Sequence, residues 1–515
     1  MPLQANQSGY NEHMTQQTDD MTKNAQLKRQ ALVQATAEAL RPNARIFFIG
    51  IGGISMCGLA ELAHAEGMVC AGSDARPNER CTYLESLGIE VHTGHDAANI
   101  DHFRPDLVVM TRAIFADNPE RLRAAELGLT LVERAVFLGA LSLGYPQVVN
   151  IAGTNGKSTT TALASLILME SGADPTVHLG AELIEFKTTV HVGGRERFVS
   201  EACEFGRGFY HYRSNTAIIL NIVHDHIDCY ETLDDMIDAF VIFAANTLPG
   251  GTLCLPSGDL AVEEMWRRFQ TEYESLSRSI NLFIYGKAGT DFCGMTPQLA
   301  YANLRYENGL PRFSVTLNGE PYEEFALSVP GEFNVENAMG ALAVAHLNGG
   351  ERKAAKKVLA AFRGAEGRFT YTGTYNGAKI YADYAHHPSA VKVTVQAARN
   401  IPAKTLHICF QPLTHSRVRG FFAEFVDALK DVRPLYMSEI YDDRERDTTI
   451  SSQDICDEIN RSGGEAYFFK TNEALREHVR PLLQPGDVFL VMGVDLRQIA
   501  DDLTTRKSHL DAVTQ

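Results

Sequence analysis

The segment from Gln147 to Thr161, QVVNIAGTNGKSTTT, constrains the fold of this chain more than any other. Its first six residues predict a buried strand, and TTTALASLILME, which follows GKS, is compatible with a helix. Between them, Gly153, Asn155 and Gly156 can adopt φ > 0. Successive loop N–H groups can then converge on an anion in front of the helix N-terminus. The segment therefore predicts a phosphate-binding loop.

The side chains of this loop indicate which ligand it binds. Lys157 is expected to contact the terminal phosphates of a nucleotide, and Ser158 is placed to bind Mg²⁺. The common nucleotide-loop pattern has glycine five positions before Gly156, where this chain has Ile151, so only the GKS half matches. The competing interpretation is an ordinary strand–turn–helix with a solvated lysine. We predict an ATP site whose loop residues are Gly153, Thr154, Asn155, Gly156, Lys157, Ser158 and Thr159.

Length and charge limit the number of domains and the kinds of partner. The 515 residues suffice for about three domains. The net charge of −17 argues against nucleic acid as a main partner, because phosphate backbones need a basic face. Nine cysteines without paired spacing indicate reduced thiols in a cytoplasmic protein. No segment reaches the roughly 18 apolar residues of a membrane span, so no membrane insertion is expected.

The N-terminal part predicts a tail followed by a nucleotide-binding unit. Residues 1–25 are polar and expected to be disordered, and residues 26–40 suggest a short amphipathic helix. RIFFIGIGGISMCG then predicts a strand, a glycine turn and a helix, with Ser55 in place of the third glycine of GxGxxG. Asp74 ends the next strand at the distance typical of a ribose-binding acid. An NAD-binding domain would give the same fingerprint, so that alternative stays open.

Strands and helices alternate along the rest of the chain, which predicts parallel sheets covered on both faces. We expect an α/β protein of three domains. Residues 41–146 form a Rossmann-like domain, residues 147–365 a central P-loop ATPase-like domain with a parallel or mixed sheet, and residues 366–515 a C-terminal Rossmann-like domain.

Polar residues follow two strands of the central region. Glu201 ends the strand RFVSE, and His226 follows the strand AIILNIV. Because parallel strands present their carboxyl ends at one edge, both side chains could meet Ser158 around Mg²⁺ bound to nucleotide phosphates. For His226 alone, a hydrogen-bonded loop histidine is the competing interpretation. HDHID would also allow a transition-metal site formed by His224, His226 and Asp228.

The C-terminal region offers further candidates. Asp383 ends the strand KIYAD and could bind ribose hydroxyls or a cation, or could cap a helix. Arg417 and Arg419 follow the strand HICFQP. They could clamp a phosphate or carboxylate, or could belong to a solvated helix face.

Taken in order, the motifs GIGGISMCG, AGTNGKSTTT, SEACE, NIVHDHIDCY, PGEFNVENA, GRF, ADYAHHPSAV and FQPLTHSRVR resemble the Mur ligase family over about residues 41–500. GIGGIS, DYAHHP and FQP…SR point to its alanine-adding branch. The resemblance implies an ATP-dependent ligase of peptidoglycan precursor synthesis in the cytoplasm. It would use ATP and Mg²⁺ to join L-alanine to the carboxylate of UDP-N-acetylmuramate through an acyl phosphate. A monomer or homodimer is expected.

The resemblance also implies a role for individual residues. The expected catalytic residues are Lys157, Glu201, His226, His386 and Arg417. Mg²⁺ would be held by Ser158, Glu201 and His226. ATP would contact, beyond the loop, Asn334, Asn337, Arg368 and Asp383. The UDP-sugar would contact Gly50, Gly52, Gly53, Ser73, Asp74, His95, Asn99 and Arg419.

The chain departs from the family pattern at three places, which keep alternatives open. Phe333 stands where the family usually has histidine, Leu413 replaces the histidine of FQPH, and MGVD is one residue shorter than MGAGD. One alternative is a murein-peptide recycling ligase that adds a preformed peptide to the same sugar. Others are a non-catalytic UDP-sugar-binding paralogue and, from a different class, a nucleotide-dependent dehydrogenase.

Overall fold

The computed structural model describes residues 24–227, 229–442 and 448–504. They form three β-sheets flanked by helices, preceded by helix α1 over residues 24–39. The predicted three-domain α/β class is confirmed. Most of the tail expected to be disordered, and Asp228 of the hypothetical transition-metal site, lie outside the described residues. No helix in the described ranges is long and apolar enough to cross a membrane.

The first sheet is parallel throughout. Its strands are β1 Arg45–Ile49, β2 Val69–Asp74, β3 Glu90–Thr93, β4 Leu107–Met110 and β5 Thr130–Glu133. Its helices are α2 Ile54–Ala65, α3 Glu79–Ser86, α4 Ala97–Phe103, α5 Pro119–Glu126 and α6 Arg134–Ser142. The strand order is β3-β2-β1-β4-β5. The central strand β1, RIFFI, is buried on both faces, as a parallel sheet covered by helices requires.

The central sheet has ten strands and is mixed. Its strands are β6 Gln147–Ala152, β7 Pro175–His178, β8 Val190–His191, β9 Gly194–Ala202, β10 Ser214–Ile219, β11 Thr247–Pro256, β12 Asn281–Lys287, β13 Leu299–Glu307, β14 Leu310–Leu317 and β15 Glu320–Ala326. Its helices are α7 Lys157–Glu170, α8 Leu233–Ala244, α9 Leu260–Glu272, α10 Glu274–Ser277, α11 Glu332–Leu347 and α12 Arg352–Ala361. The order is β15-β14-β13-β12-β11-β10-β6-β9-β7-β8, so β6 lies between β10 and β9.

The third sheet is parallel except for its edge strand. Its strands are β16 Thr370–Tyr375, β17 Ala378–Asp383, β18 Leu406–Phe410, β19 Leu435–Ser438, β20 Ala466–Phe469 and β21 Val488–Met492. Its helices are α13 Pro388–Arg399, α14 His415–Gly420, α15 Phe422–Leu429, α16 Ser452–Arg461, α17 Asn472–Val479 and α18 Arg497–Thr504. The order is β16-β17-β21-β18-β19-β20, and β16 pairs antiparallel with β17.

The hydrophobic cores show how the sheets are joined. One cluster runs from β1 and α2 of the first sheet through Val148 and Ala152 to helices α8 and α9 of the central region. Val149 and Ile151, on the other face of β6, belong to a second cluster with α7 and α11. The third sheet has clusters of its own. We propose domain limits near residues 146 and 365, which lie between the sheets.

Candidate active site

The predicted phosphate loop joins β6 to α7 at the carboxyl edge of the central sheet. Gly153 and Gly156 have φ of +145° and +86°, where a side chain would be strained. Asn155 does not use the positive φ that it could adopt. Its N–H instead donates to Asn221 Oδ1 at 2.8 Å, and Asn221 Nδ2 donates to its carbonyl at 3.0 Å. The amide of Asn221 thus fixes this part of the loop without a left-handed residue.

Thr154 holds the loop against the segment that follows β10. Thr154 Oγ1 lies 3.0 Å from Val223 O and 2.9 Å from Val223 N. Thr159 is buried in the first turn of α7. Asn155 and Thr154 therefore both attach the loop to the segment that follows β10.

Lys157 is the first residue of α7, and its side chain folds back over the loop. Lys157 Nζ donates to the carbonyls of Gly153 at 2.5 Å and Thr154 at 3.0 Å. It also forms an ion pair with Glu204 at 2.8 Å. The interpretation of Lys157 as a solvated lysine is wrong, because its side chain is only 11% exposed.

Glu204, which follows β9, was not among the residues picked out by sequence. It is 1% exposed, and it lies within 3.5 Å of His226 Nε2 as well as beside Lys157. Burial alone would raise the pKa of Glu204, but the charges of Lys157 and His226 outweigh it and hold that pKa below its usual value. Burial likewise opposes the charge on Lys157, and Glu204 outweighs it and raises the lysine pKa. Each charge therefore favours the ionised form of the other.

Ser158 and Glu201 form a second contact at the loop. Ser158 Oγ donates to Glu201 Oε2 at 2.7 Å, and the same oxygen accepts from Gly180 N at 2.9 Å. The register of β6 with β9, Ile151 beside Glu201, brings the two together. A hydroxyl and a carboxylate are the oxygen donors that Mg²⁺ prefers, so this pair fits that ion. Within residues 24–227, 229–442 and 448–504, no group of three or more His, Cys, Asp or Glu is arranged to hold a metal.

His226 lies farther from a strand end than the sequence suggested. Strand β10 ends at Ile219, and His226 follows in an irregular segment with a left-handed φ of +54°. Its ring packs on Phe205, with centroids 5.0 Å apart. His224 Nε2 lies 3.0 Å from the carbonyl of Tyr230 instead. The two histidines thus have different partners, which does not favour the transition-metal interpretation.

The two asparagines of α11 lie beside the loop. Asn334 and Asn337 are buried, and Asn337 Nδ2 donates to Asn334 Oδ1 at 3.2 Å. A Cβ on Gly156 would lie 2.1 Å from Asn337 Oδ1, so loop and helix are in direct contact. Phe333, one of the departures from the family pattern, points the other way and packs against the core of the third sheet.

Arg417 brings the third sheet to this edge. Arg417 Nη2 donates to Asp225 Oδ1 at 2.9 Å, and the arginine is only 8% exposed. The interpretation of Arg417 as part of a solvated face is wrong. Burial opposes the charge of Asp225, but His226 and Arg417 outweigh it and lower the Asp225 pKa. Burial and the charge of Arg417 lower the pKa of the nearby His386 imidazole.

Three other predicted residues, Asp383, Arg368 and Arg419, belong to the C-terminal region. Asp383 accepts from the backbone N–H groups of Phe369 and Ala385, both at 2.6 Å, and burial raises its pKa. It does not cap α13, whose N-cap is His387. The Arg368 guanidinium lies 5.0 Å from the ring centroid of Tyr384. Arg419, in contrast to Arg417, is exposed and donates to Thr449 at 3.1 Å.

The glycine turn of the first sheet forms a second site. Gly50 has φ +81°, and Gly53 is the N-cap of α2. Gly52 N donates to Asp74 Oδ2 at 3.0 Å, so the acid that ends β2 closes on the turn. A Cβ on Gly52 would lie 2.8 Å from Asn78 Nδ2 and Cys81 Sγ, which explains why glycine is needed there.

The remaining residues predicted to bind the UDP-sugar converge on a carboxylate that sequence reasoning missed. Glu120, at the start of α5, is fully buried. Its oxygens lie 2.6 Å from Ser73 Oγ, 2.8 Å from His95 Nδ1 and 2.7 Å from Asn99 Nδ2. The acid at the second helical position after the cap Asn118 was the available signal.

Three family models match successive parts of the chain. The model described as "Mur ligase family, catalytic domain" matches residues 45–146. The "Mur ligase middle domain" matches residues 151–345, and the "Mur ligase, glutamate ligase domain" matches residues 367–494. Together they span all three sheets.

Individual proteins resemble the chain over most of its length. UDP-N-acetylmuramate–L-alanine ligase of Agathobacter rectalis is 36% identical over 462 residues, 89% of this chain and 97% of the relative. The enzyme of the same name from Acetivibrio thermocellus is 34% identical over 457 residues, 88% and 94% of the two chains.

Solved structures give the same result for the fold. The crystal structure of UDP-N-acetylmuramate-alanine ligase from Thermotoga maritima aligns with TM-score 0.74 and 25% identity, covering 92% of this chain and 100% of that one. A murein peptide ligase from Psychrobacter arcticus aligns with TM-score 0.66 and 23% identity, covering 91% and 98%. With three matching domain models and relatives above 30% identity over nearly their whole length, this chain belongs to the Mur ligase family.

Proposed function

We propose that this protein is an ATP-dependent ligase that joins L-alanine to the carboxylate of UDP-N-acetylmuramate. One observation carries the proposal: Lys157, the Ser158–Glu201 pair and Asn337 surround one loop at the carboxyl edge of the central sheet, and Arg417 of the third sheet region bonds to Asp225 in the segment that follows β10. The names of relatives such as the Agathobacter rectalis enzyme support the choice of substrates.

The residues divide the chemistry between them. Lys157 and the loop N–H groups bind the phosphates of ATP, and Ser158, Glu201 and His226 would hold Mg²⁺. When bound, Mg²⁺ supplies positive charge that neutralises phosphate oxygens. The γ-phosphoryl group passes to the muramate carboxylate, which releases ADP and leaves an acyl phosphate. The amine of L-alanine attacks the acyl carbon, gives up a proton and displaces inorganic phosphate.

Contacts between the sheets keep water from the acyl phosphate. Asp225 of the central segment and Arg417 of α14 are both nearly buried where they meet. Because this contact closes the third domain over the loop, it excludes solvent that would hydrolyse the intermediate.

The first experiment measures phosphate release from ATP by the purified protein. Release should require both UDP-N-acetylmuramate and L-alanine, and Lys157→Ala should lower kcat roughly 10²–10³-fold. Equal turnover without the sugar would contradict the proposal. Turnover with a preformed tripeptide but not with alanine would identify the recycling ligase instead. Binding of nucleotide and UDP-sugar without ADP formation would indicate a non-catalytic paralogue. Binding of NAD(H) would indicate a dehydrogenase.

A further inference from the structure

Glu204 is a buried carboxylate to which no role has been assigned so far. It follows β9 and is 1% exposed. Its backbone is fixed, because Tyr230 Oη donates to the Glu204 carbonyl at 2.6 Å and Tyr230 is itself fully buried. Gly206 and Arg207, shortly after Glu204 in the chain, have φ of +59° and +60°. The backbone therefore turns sharply after Glu204. The carboxylate is thus held in one place.

Counting donors shows what Glu204 does for Lys157. An ammonium has three N–H groups, and the Gly153 carbonyl, the Thr154 carbonyl and Glu204 accept from all three. A phosphate oxygen can contact Nζ only if one acceptor gives way. Bonds to ionised acceptors are roughly twice as strong as bonds to neutral carbonyls, so a loop carbonyl gives way first. The lysine then reaches the phosphate while still tethered to Glu204.

The same carboxylate orients His226. His226 Nε2 lies 3.5 Å from Glu204 Oε1, which leaves Nδ1 as the ring nitrogen available to a metal. Histidines that bind metals commonly place their other nitrogen against a carboxylate, which fixes the ring and makes it a better ligand. Packing against the tilted ring of Phe205 limits the imidazole further.

We propose that Glu204 is a positioning residue that tethers Lys157 and at the same time orients the imidazole of His226. The role rests on the proposed function, since it concerns the lysine and the metal ligand of that reaction. Glu204 touches neither substrate. It links Lys157, which binds phosphate, to His226, which binds metal, so that one buried charge fixes the positions of both side chains.

Steady-state kinetics of Glu204→Gln test the catalytic part. We expect kcat to fall about 10–100-fold and the Mg²⁺ concentration for half-maximal rate to rise roughly tenfold, with the KM for alanine nearly unchanged. Glu263→Gln is the matched control, because Glu263 is another buried carboxylate. It lies in α9, remote in sequence from the loop, and pairs with Arg267 of the same helix. Full activity of Glu204→Gln at low Mg²⁺ would overturn the proposal.

Thermal unfolding without substrates tests the tether itself. Glu204→Gln leaves the Lys157 ammonium buried without its counter-charge, so Tm should fall by about 4 °C or more. Adding Lys157→Met should restore most of that loss, and Glu204→Asp should retain most of the parent Tm. Additive losses in the double variant would overturn the tether. If Glu204→Gln does not fold, recovery of a folded double variant still supports the coupling.

Nucleotide binding separates this inference from the proposed function. In EDTA, the Kd of a non-hydrolysable ATP analogue should change less than about threefold in Glu204→Gln, whereas the gain in affinity on adding Mg²⁺ should shrink roughly tenfold. An unchanged gain would contradict the role toward His226. These measurements involve no turnover, so they remain decisive even if the protein turns out to ligate a different acid or amine.

Discussion

A single carboxylate can make stability depend on pH when it is shielded from water and has no cation beside it. Glu61 of α2 accepts from Tyr83 Oη at 2.9 Å, and its other oxygen is buried without a partner. Burial raises the pKa of Glu61 to about 7 from 4.5, although the Tyr83 bond opposes the shift. The folded protein therefore holds a proton on Glu61 that the unfolded chain releases near pH 4.5.

Replacing Glu61 with glutamine should remove this dependence. The stability that protonated Glu61 contributes is complete below pH 4.5 and is lost as pH rises toward about 7. Glu61→Gln should therefore be about 1–3 kcal/mol more stable than the parent at pH 8 and nearly equal to it at pH 4.5. Denaturant unfolding at the two pH values measures the difference. Glu274→Gln, at an exposed position, serves as the control, and an equal gain at both pH values would contradict the prediction.

Sequence reasoning identified residues within motifs better than their buried partners. Ser158 and Glu201 do meet, as the parallel strand edge predicted. Glu204 was missed because nothing in a sequence distinguishes a carboxylate that is buried by tertiary packing from one on the surface. Glu120 had only the signal of its place in the first turn after the cap Asn118, which does not reveal burial. The functional roles of the site residues remain predictions until the variants are measured.

Among the elements, the phosphate loop depends most on one residue. Gly156 combines φ +86° with an added Cβ only 2.1 Å from Asn337 Oδ1. At the far end of α7, Gly172 has φ +87°, but nothing lies within 4 Å of an added Cβ. A side chain at either glycine would therefore strain the backbone equally, but only a side chain at Gly156 would also clash with a neighbouring residue.

Gly156→Ala should weaken nucleotide binding, whereas Gly172→Ala should not. Both variants should lose about 1 kcal/mol of stability from the left-handed backbone. Only Gly156→Ala also displaces Asn337, so its Kd for an ATP analogue should rise at least about tenfold. Titration of the analogue into both variants measures the effect. Equal affinity in the two would show that the contact between loop and α11 is unimportant for binding.

Sequence patterns predicted elements best where strands are buried on both faces. The third-sheet segment HICF becomes β18, whose residues are mostly buried, and KIYAD becomes β17, whose residues are buried or half-buried except Lys379. Strands β13 to β15 were not predicted. They form an antiparallel meander with many exposed polar side chains, so their apolar runs are short and interrupted. Edge strand β16 was missed for the same reason.

Across the whole molecule, a chain of charges connects the three sheets. Arg80 Nε lies 3.1 Å from Glu182 Oε1, joining the first domain to the central one. Glu366 N donates to the Glu182 carbonyl at 3.0 Å, and Glu366 forms an ion pair with Arg497 of α18. Burial raises the pKa of Glu182, and the charge of Glu366 adds to the rise while Arg80 opposes it. Both arginines thus help to hold two adjacent carboxylates.

Removing Arg497 should loosen the third domain. Arg497→Met leaves Glu366 beside Glu182 without its cation, so amide exchange over residues 362–369 should accelerate at least about fivefold. Arg476→Met is the control, because Arg476 pairs with Asp502 and Glu477 in its own domain. Hydrogen exchange monitored by mass spectrometry measures both. Equal rates in the two variants would show that this chain of charges does not fix the domain.

The apolar cluster shared by the first and central sheets determines where the polypeptide can be divided. A break near residue 146 would separate α6 and β1 from α8. Each half would then expose a broad apolar surface to water and precipitate. A break near residue 365 would leave the carboxyl-terminal portion with an interior of its own. Two recombinant fragments divided near residue 365 should each remain in solution, and mixing them should restore ligase activity.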